Sequence, residues 1–199
     1  MDEAVAKKPL SLAISLIVFG AIGAYAAFAL IMDKIALLEN PNTSLNCDFS
    51  VLVACSTNLN SAQGQVFGFP NPVLGLAFWP AVAAIGVALL AGARMAGWFW
   101  ALFSLAATGA FALVVWFVSE SIFSLRVLCP WCMVTWAVTI PLFFIAWFYT
   151  LGYSKLSVPV RLRSSSAKMF SWIPLITIVC YLIIAVLAQW QLDVLGVIF

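Results

Sequence analysis

Uninterrupted apolar blocks recur along this chain at residues 10–32, 72–91, 97–118, 128–150 and 170–192, and none of them contains a lysine, arginine, aspartate or glutamate. At about 1.5 Å of rise per residue, a helix of such a length crosses a hydrocarbon core of about 30 Å. The pattern predicts five membrane-spanning helices in one all-α membrane domain covering residues 1–199, joined by short polar connections, with residues 33–71 as the only long one. Lys7 and Lys8 resemble the basic start of a secretory signal, but the first block is longer than a signal peptide's apolar region and is read as an uncleaved anchor.

Composition agrees with that pattern. Hydrophobic residues make up 65% of the 199 and charged residues 8%, about a third of the charge density of a soluble domain. The net charge of +2 gives no basis for nucleic-acid binding, and the natural partner of the apolar surface is membrane lipid. With no histidine in the chain, the usual neutral-pH base and the commonest metal and haem ligand are missing.

Basic residues set the expected orientation. An N-terminus in the cytoplasm places Lys7, Lys8, Arg94, Lys155, Arg161, Arg163 and Lys168 inside and only Lys34 and Arg126 outside, as the positive-inside rule requires. The C-terminus is then outside, and the basic stretch at 157–168 faces anionic headgroups. The chain is expected in the cell inner or plasma membrane, with loop 33–71 on the extracytoplasmic side.

That loop is charge-free from Phe49 onward, so Phe49, Val51, Leu52, Val53, Leu59, Val66, Phe67 and Phe69 should pack on the bundle or sit in the interface as a partly helical lid. Gly64, Gly68 and Pro70 end the lid before Pro72, a residue suited to a first helical turn. Cys47 and Cys55 lie in the loop, near the exposed stretch from Asn40 to Thr43, and Cys129-Pro130-Trp131-Cys132 opens the fourth span. After three crossings the chain enters that span from outside, so both pairs share the face on which disulfides persist.

A Cys-x-x-Cys at a helix start has a physical reason to react: unpaired backbone N–H groups and the positive dipole end stabilise negative charge on sulfur. Cys132 is also near enough to resolve a mixed disulfide. Cys180, alone in the fifth span, reads as a small buried hydrophobe. Other readings of the paired cysteines are a zinc site in a structural metal protein or transporter, and an inert brace for the loop. The spacing from Cys47 to Cys55 is wide for zinc. No ionisable side chain except Cys180 stands at the centre of a span, where an ion path needs one. With no nucleotide fingerprint or haem ligand, a lipid-soluble quinone (menaquinone or ubiquinone) is the acceptor the chain permits, in an apolar pocket walled by aromatics such as Phe67, Phe69, Phe78, Trp79, Trp116, Phe123, Trp131 and Trp136.

Taken in order, Cys47-x7-Cys55, Ser61, Phe67-Gly68, Asn71-x-x-x-Gly75 and Cys129-x-x-Cys132 resemble the bacterial homologues of vitamin K epoxide reductase. The resemblance implies a four-helix bundle around a quinone, a capping loop with a half-helix, and a fifth accessory helix. It implies that Cys129 and Cys132 face the quinone and that Cys47 and Cys55 shuttle electrons to them. Ser61 and Asn71 then become pocket residues, Asn71 as a donor to a ring oxygen, against the alternatives of a helix-surface serine and an N-cap before Pro72. Four residues after Cys132 the vertebrate enzymes carry a tyrosine where this chain has Trp136, which keeps a donor and loses the hydroxyl, an argument against epoxide reduction. Many bacterial relatives continue into a thioredoxin-like domain after the fifth helix; here only seven residues follow Leu192, so a separate extracytoplasmic thioredoxin-fold partner is expected. The activity read from these features is a quinone-dependent thiol oxidase, with electrons passing from the partner to the loop pair, then to Cys129 and Cys132, then to quinone.

Overall fold

The computed structural model describes residues 3–154, 159–193 and 196, with side chains from residue 10 onward. Lys7 and Lys8, as side chains, and Lys155 from the basic-residue count lie outside the described set. Among the described residues seven α-helices follow in order: α1 Glu3–Glu39, α2 Cys55–Asn60, α3 Pro72–Leu90, α4 Gly97–Ser119, α5 Pro130–Tyr153, α6 Val160–Met169 and α7 Ile173–Leu192. Five stretches are long and apolar enough to cross a membrane, and each coincides with one of the predicted blocks. The ends differ in places: the fifth stretch already begins at Val160, and α1 continues beyond residue 32 to Glu39. The residues that carry it on, Lys34-Ile35-Ala36-Leu37-Leu38-Glu39, have no β-turn former among them, and Leu37 is buried under the following loop.

Helix α1 packs most extensively on α3, and α5 touches α1, α4, α6 and α7. The α1–α3 seam is made of small residues. A Cβ on Gly20 would lie 2.6 Å from the backbone nitrogen of Ala83, one on Gly75 2.8 Å from the Ala27 methyl, and one on Gly86 2.7 Å from the carbonyl of Ala13. Backbones approach this closely in membranes because lipid offers no hydrophobic drive, and van der Waals contact between helices must hold them together. At the middle of the seam Gly23 lies directly under the indole of Trp79, which is buried.

Helices α4 and α5 add polar links. Thr150 Oγ1 donates to the carbonyl of Trp100 at 3.1 Å and lies 2.8 Å from Ser104 Oγ, while Trp147 Nε1 donates to Thr108 Oγ1 at 2.8 Å. Buried among apolar side chains, these groups would be costly unpaired. By contrast α7 meets the bundle through few contacts, including a hydrogen bond from the Tyr181 hydroxyl to the carbonyl of Ala137. Leu182, Ile183, Val186 and Trp190 remain outward, as a lipid-facing accessory helix requires. Helices α3 and α4 barely touch, and the space between them opens the bundle on one side.

The seam yields a contrast between two glycines. Gly23→Ala should drive a methyl into the Trp79 ring and lower stability by about 1–3 kcal/mol. Gly109→Ala, where nothing lies within 4 Å of the added carbon, should be neutral or gain up to about 1 kcal/mol of helix propensity. Thermal unfolding of the two variants in detergent measures the difference.

Candidate functional site

The loop between α1 and α3 folds against one end of the bundle around a six-residue helix, α2. A helix this short does not persist unaided, and both of its ends are held by charged side chains. At its N-terminus the Asp48 carboxylate accepts from the backbone N–H groups of Cys55 at 2.7 Å and Ser56 at 3.1 Å. The other Asp48 oxygen accepts from Leu45 at 3.4 Å. At the C-terminus the Lys34 ammonium, itself buried, donates to the carbonyl of Leu59 at 2.9 Å and to Asn60 Oδ1 at 3.2 Å. Each charge has the sign that complements the helix dipole. Burial pushes the Asp48 carboxyl up, but the hydrogen bonds from Ser56, Cys55 and Leu45 outweigh it and hold the group below 3.8.

A second tie fixes the loop to the strand-like segment ahead of α5. Leu128 donates its N–H to the carbonyl of Leu52 at 2.8 Å, Ala54 donates to the carbonyl of Leu128 at 3.0 Å, and Val53 and Leu128 form a parallel bridge. The amide of Asn58 adds a hydrogen bond to the carbonyl of Val127 at 3.4 Å. This register carries Cys55 alongside Cys129. Both are fully buried, in one apolar cluster with Cys47, Leu30, Leu37, Leu45 and Leu59.

Cys47 and Cys55 form a disulfide with an S–S distance of 2.04 Å, and Cys129 and Cys132 are free thiols. The sequence placed the loop pair within reach of the exposed stretch from Asn40 to Thr43, and the structure corrects this: Cys47 is only 4% exposed and Cys55 is fully covered. Leu37 on the extended end of α1, together with Leu45, packs over the pair.

Cys129 is the N-cap of α5, with φ −98° and ψ 119°, and Pro130 follows as the first helical residue. Its sulfur accepts the N–H of Cys132 at 3.3 Å, the interaction that a sulfur carrying negative charge requires at a helix start. Because Cys129 stands outside the helix in extended conformation, the two sulfurs serve different surroundings. Cys129 faces the loop cluster, and Cys132, half-buried, lines a cavity.

That cavity, of about 180 Å³, lies in the gap between α3 and α4, floored by α1 and α5 and roofed by the loop. Phe67, Asn71, Phe78, Trp79 and Trp136, all expected from the sequence, line it. Phe69, Trp116, Phe123 and Trp131 do not: Phe69 stacks on Phe67, and Trp131 packs edge-on against Tyr25 at 5.6 Å. Ser61 also stands outside the lining. Its hydroxyl donates to the carbonyl of Asn58 at 2.7 Å and accepts from Gly64 at 3.1 Å, capping the 3-10 turn Ala62–Gln65. Asn71 does not cap α3 with its side chain. Its amide instead donates to the carbonyl of Gln63 at 2.6 Å and accepts from Val66 at 3.1 Å, closing the roof over the cavity.

Four residues of the site escaped the sequence reading: Asp33, Lys34, Asp48 and Asn58. Three of them are charged in a chain with few charges, and Asp48 adjoins Cys47, a signal that was available. Asn58 carried no signal, since one polar residue in a polar loop marks nothing until the fold points it at a neighbour.

The Asp48 cap gives a stability prediction with a definite sign. A carboxyl held below its ordinary value stabilises the fold above that value and loses the contribution as pH falls through the lowered one. The Cys55 and Ser56 amides should therefore stay protected from hydrogen exchange as pH falls into the ordinary carboxylate range and lose protection below it. Asp48→Ala should remove that protection at neutral pH and cost about 1 kcal/mol.

No individual curated protein matches the chain at a significant level. A family model described as the vitamin K epoxide reductase family matches residues 14–147, a stretch that includes both cysteine pairs and every residue lining the cavity, and the chain belongs to that family.

Proposed function

We propose that the protein is a quinone-dependent thiol oxidase that makes disulfides and passes them to an extracytoplasmic thioredoxin-fold protein. Family membership supports a disulfide-forming, quinone-linked oxidoreductase. The observation that carries the finer reading is the division of labour at the α5 start, where Cys129 meets the loop pair and Cys132 meets the cavity. Electrons entering at the Cys47–Cys55 disulfide then have a continuous sulfur path inward. The partner's dithiol reduces the loop pair. Cys55, aligned beside Cys129 by the Val53–Leu128 bridge, attacks the Cys129–Cys132 disulfide, and Cys132 is released as a thiolate at the cavity wall.

The cavity suits a quinone: it is apolar, walled by Phe67, Phe78, Trp79 and Trp136, and open between α3 and α4 where an isoprenoid tail would leave toward lipid. A bound quinone would supply the two-electron acceptor. Asn71 keeps a second amide N–H after bonding Gln63, and that group is the donor for a ring oxygen. Ser61 acts at one remove, by shaping the roof. Burial of Cys47 and Cys55 means that the partner has to displace part of the loop before the sulfurs meet, which protects the pair from non-cognate thiols.

Orientation follows from the same reading. The end bearing the loop carries Lys34 and Arg126, and the opposite end carries Arg94 and the basic face of α6, so the loop is extracytoplasmic and α6 cytoplasmic. Val51→Cys, at a position 89% exposed, should be labelled by a membrane-impermeant thiol reagent in intact cells, and Val160→Cys, at a position 83% exposed, only after lysis. The reverse pattern overturns the topology.

The central test is dithiol-driven quinone reduction by purified protein. Cys129→Ser or Cys132→Ser should abolish it, whereas Cys180→Ala should leave it within a few-fold. Asn71→Ala should lower it about ten- to a hundred-fold, the loss of a hydrogen bond to a polarised group, while exchange at the loop disulfide survives. Full activity without Cys132 overturns the electron path. Copurified zinc held by the four cysteines, with no quinone reduction, favours the metal-protein reading.

A further inference from the structure

Asp33 lies on α1 in its last turns before Glu39, with its Oδ2 3.3 Å from the sulfur of Cys47. That sulfur is half of a disulfide and has no proton to share, so the contact satisfies neither atom as it stands. Among the described residues no cation pairs with Asp33. The nearest charged groups are already engaged, Lys34 by the carbonyl of Leu59 and Asn60, and Asp48 by three backbone N–H groups. Asp33 is half-buried, and its carboxylate oxygen lies within 4.8 Å of both loop sulfurs. A carboxylate placed on a disulfide gains a partner only when a thiol proton appears there, which happens when the loop pair is reduced.

We infer that Asp33 is the proton acceptor and donor for Cys47 during thiol exchange. The assignment rests on the electron path proposed above and adds a residue to it. Once Cys55 is joined to Cys129, Cys47 must close the loop. Its S–H proton passes to the Asp33 carboxylate, its sulfur bonds to the sulfur of Cys55, and the Cys55–Cys129 bond breaks with Cys129 leaving as a thiolate. The electron pair released stays on Cys129, so one disulfide is made and one broken. In the next cycle the partner's thiolate opens the loop disulfide by bonding to Cys47. The partner's second thiol then passes its proton to the Asp33 carboxylate, which by then has released the earlier one to solvent, and displaces Cys47 as a thiolate, which takes that proton from Asp33. Lys34 and Asp48 hold α2 and Cys55 in place while Asp33 serves Cys47, so three charges in the loop region have separate tasks.

The test isolates the loop pair in full-length protein carrying Cys129→Ser, Cys132→Ser and Cys180→Ala. The loop dithiol is reacted with glutathione disulfide, and mass spectrometry follows conversion of the glutathione adduct to the closed Cys47–Cys55 disulfide. With Asp33 present, closure should depend on pH only weakly between about pH 6 and about pH 8, because a carboxylate base gives up its proton well below a thiol. With Asp33→Asn, closure must wait for spontaneous ionisation of a thiol near pH 8.5, so its rate should fall about tenfold per pH unit below that value. Asp33→Glu should keep the weak pH dependence at reduced rate. An unchanged profile in Asp33→Asn, or a loss by the same factor at every pH, overturns the inference, as does a steep profile in Asp33→Glu. Neither quinone nor partner enters this readout, so failure of the electron path in the quinone assay and failure of the Asp33 assignment are separate results.

Discussion

The arrangement of this site depends on the clamp around α2. Six residues do not hold a helix by themselves, yet this one has to keep Cys55 against Cys129 with no solvent between them. The Asp48 carboxylate on its first N–H groups and the Lys34 ammonium on its last carbonyl remove the end penalties that would otherwise unwind it. Lys34 can act there only because α1 runs on past its apolar block to Glu39 and brings a cation up under the loop. With α2 in place, the Val53–Leu128 bridge completes the register, and Leu37 and Leu45 close over the sulfurs.

Charge and burial are used sparingly elsewhere. The spans are held by close backbone approach at Gly20, Gly75 and Gly86 and by a few hydroxyl and indole links between α4 and α5, since apolar side chains gain nothing from leaving lipid for one another. Tight packing of α1 on α3 has a consequence for the site. It seats Trp79 over Gly23 and leaves α4 to stand away from α3, so a cavity remains between them. The cavity's thiol is Cys132, three residues from a cysteine that lies in the loop cluster and precedes the helix instead of belonging to it.

Membrane class, the number and positions of the spans, and the two cysteine pairs were legible in the sequence because each depends on local pattern: run length, charge placement and spacing. Phe67, Trp79 and Trp136 could be nominated as cavity walls for a similar reason, being large apolar residues in the loop or toward the loop end of a span. Phe69, Trp116, Phe123 and Trp131 had the same qualifications and turned elsewhere, because which side of a uniformly apolar helix meets a neighbour is set by packing and leaves little trace in a sequence with no polar face. Ser61 and Asn71 show the same limit for polar residues. Both make hydrogen bonds within the roof, to partners chosen by the path of the loop. Burial of Cys47 and Cys55, the pairing of Cys55 with Cys129 in one cluster, and the contact of Asp33 with Cys47 were decided by tertiary structure alone. Each joins segments far apart in the chain, and only the folded loop brings them together. The sequence by itself determined that the sulfurs share one face of a membrane; the tertiary structure decided their order along it, because order here is a matter of which sulfur each packed surface covers.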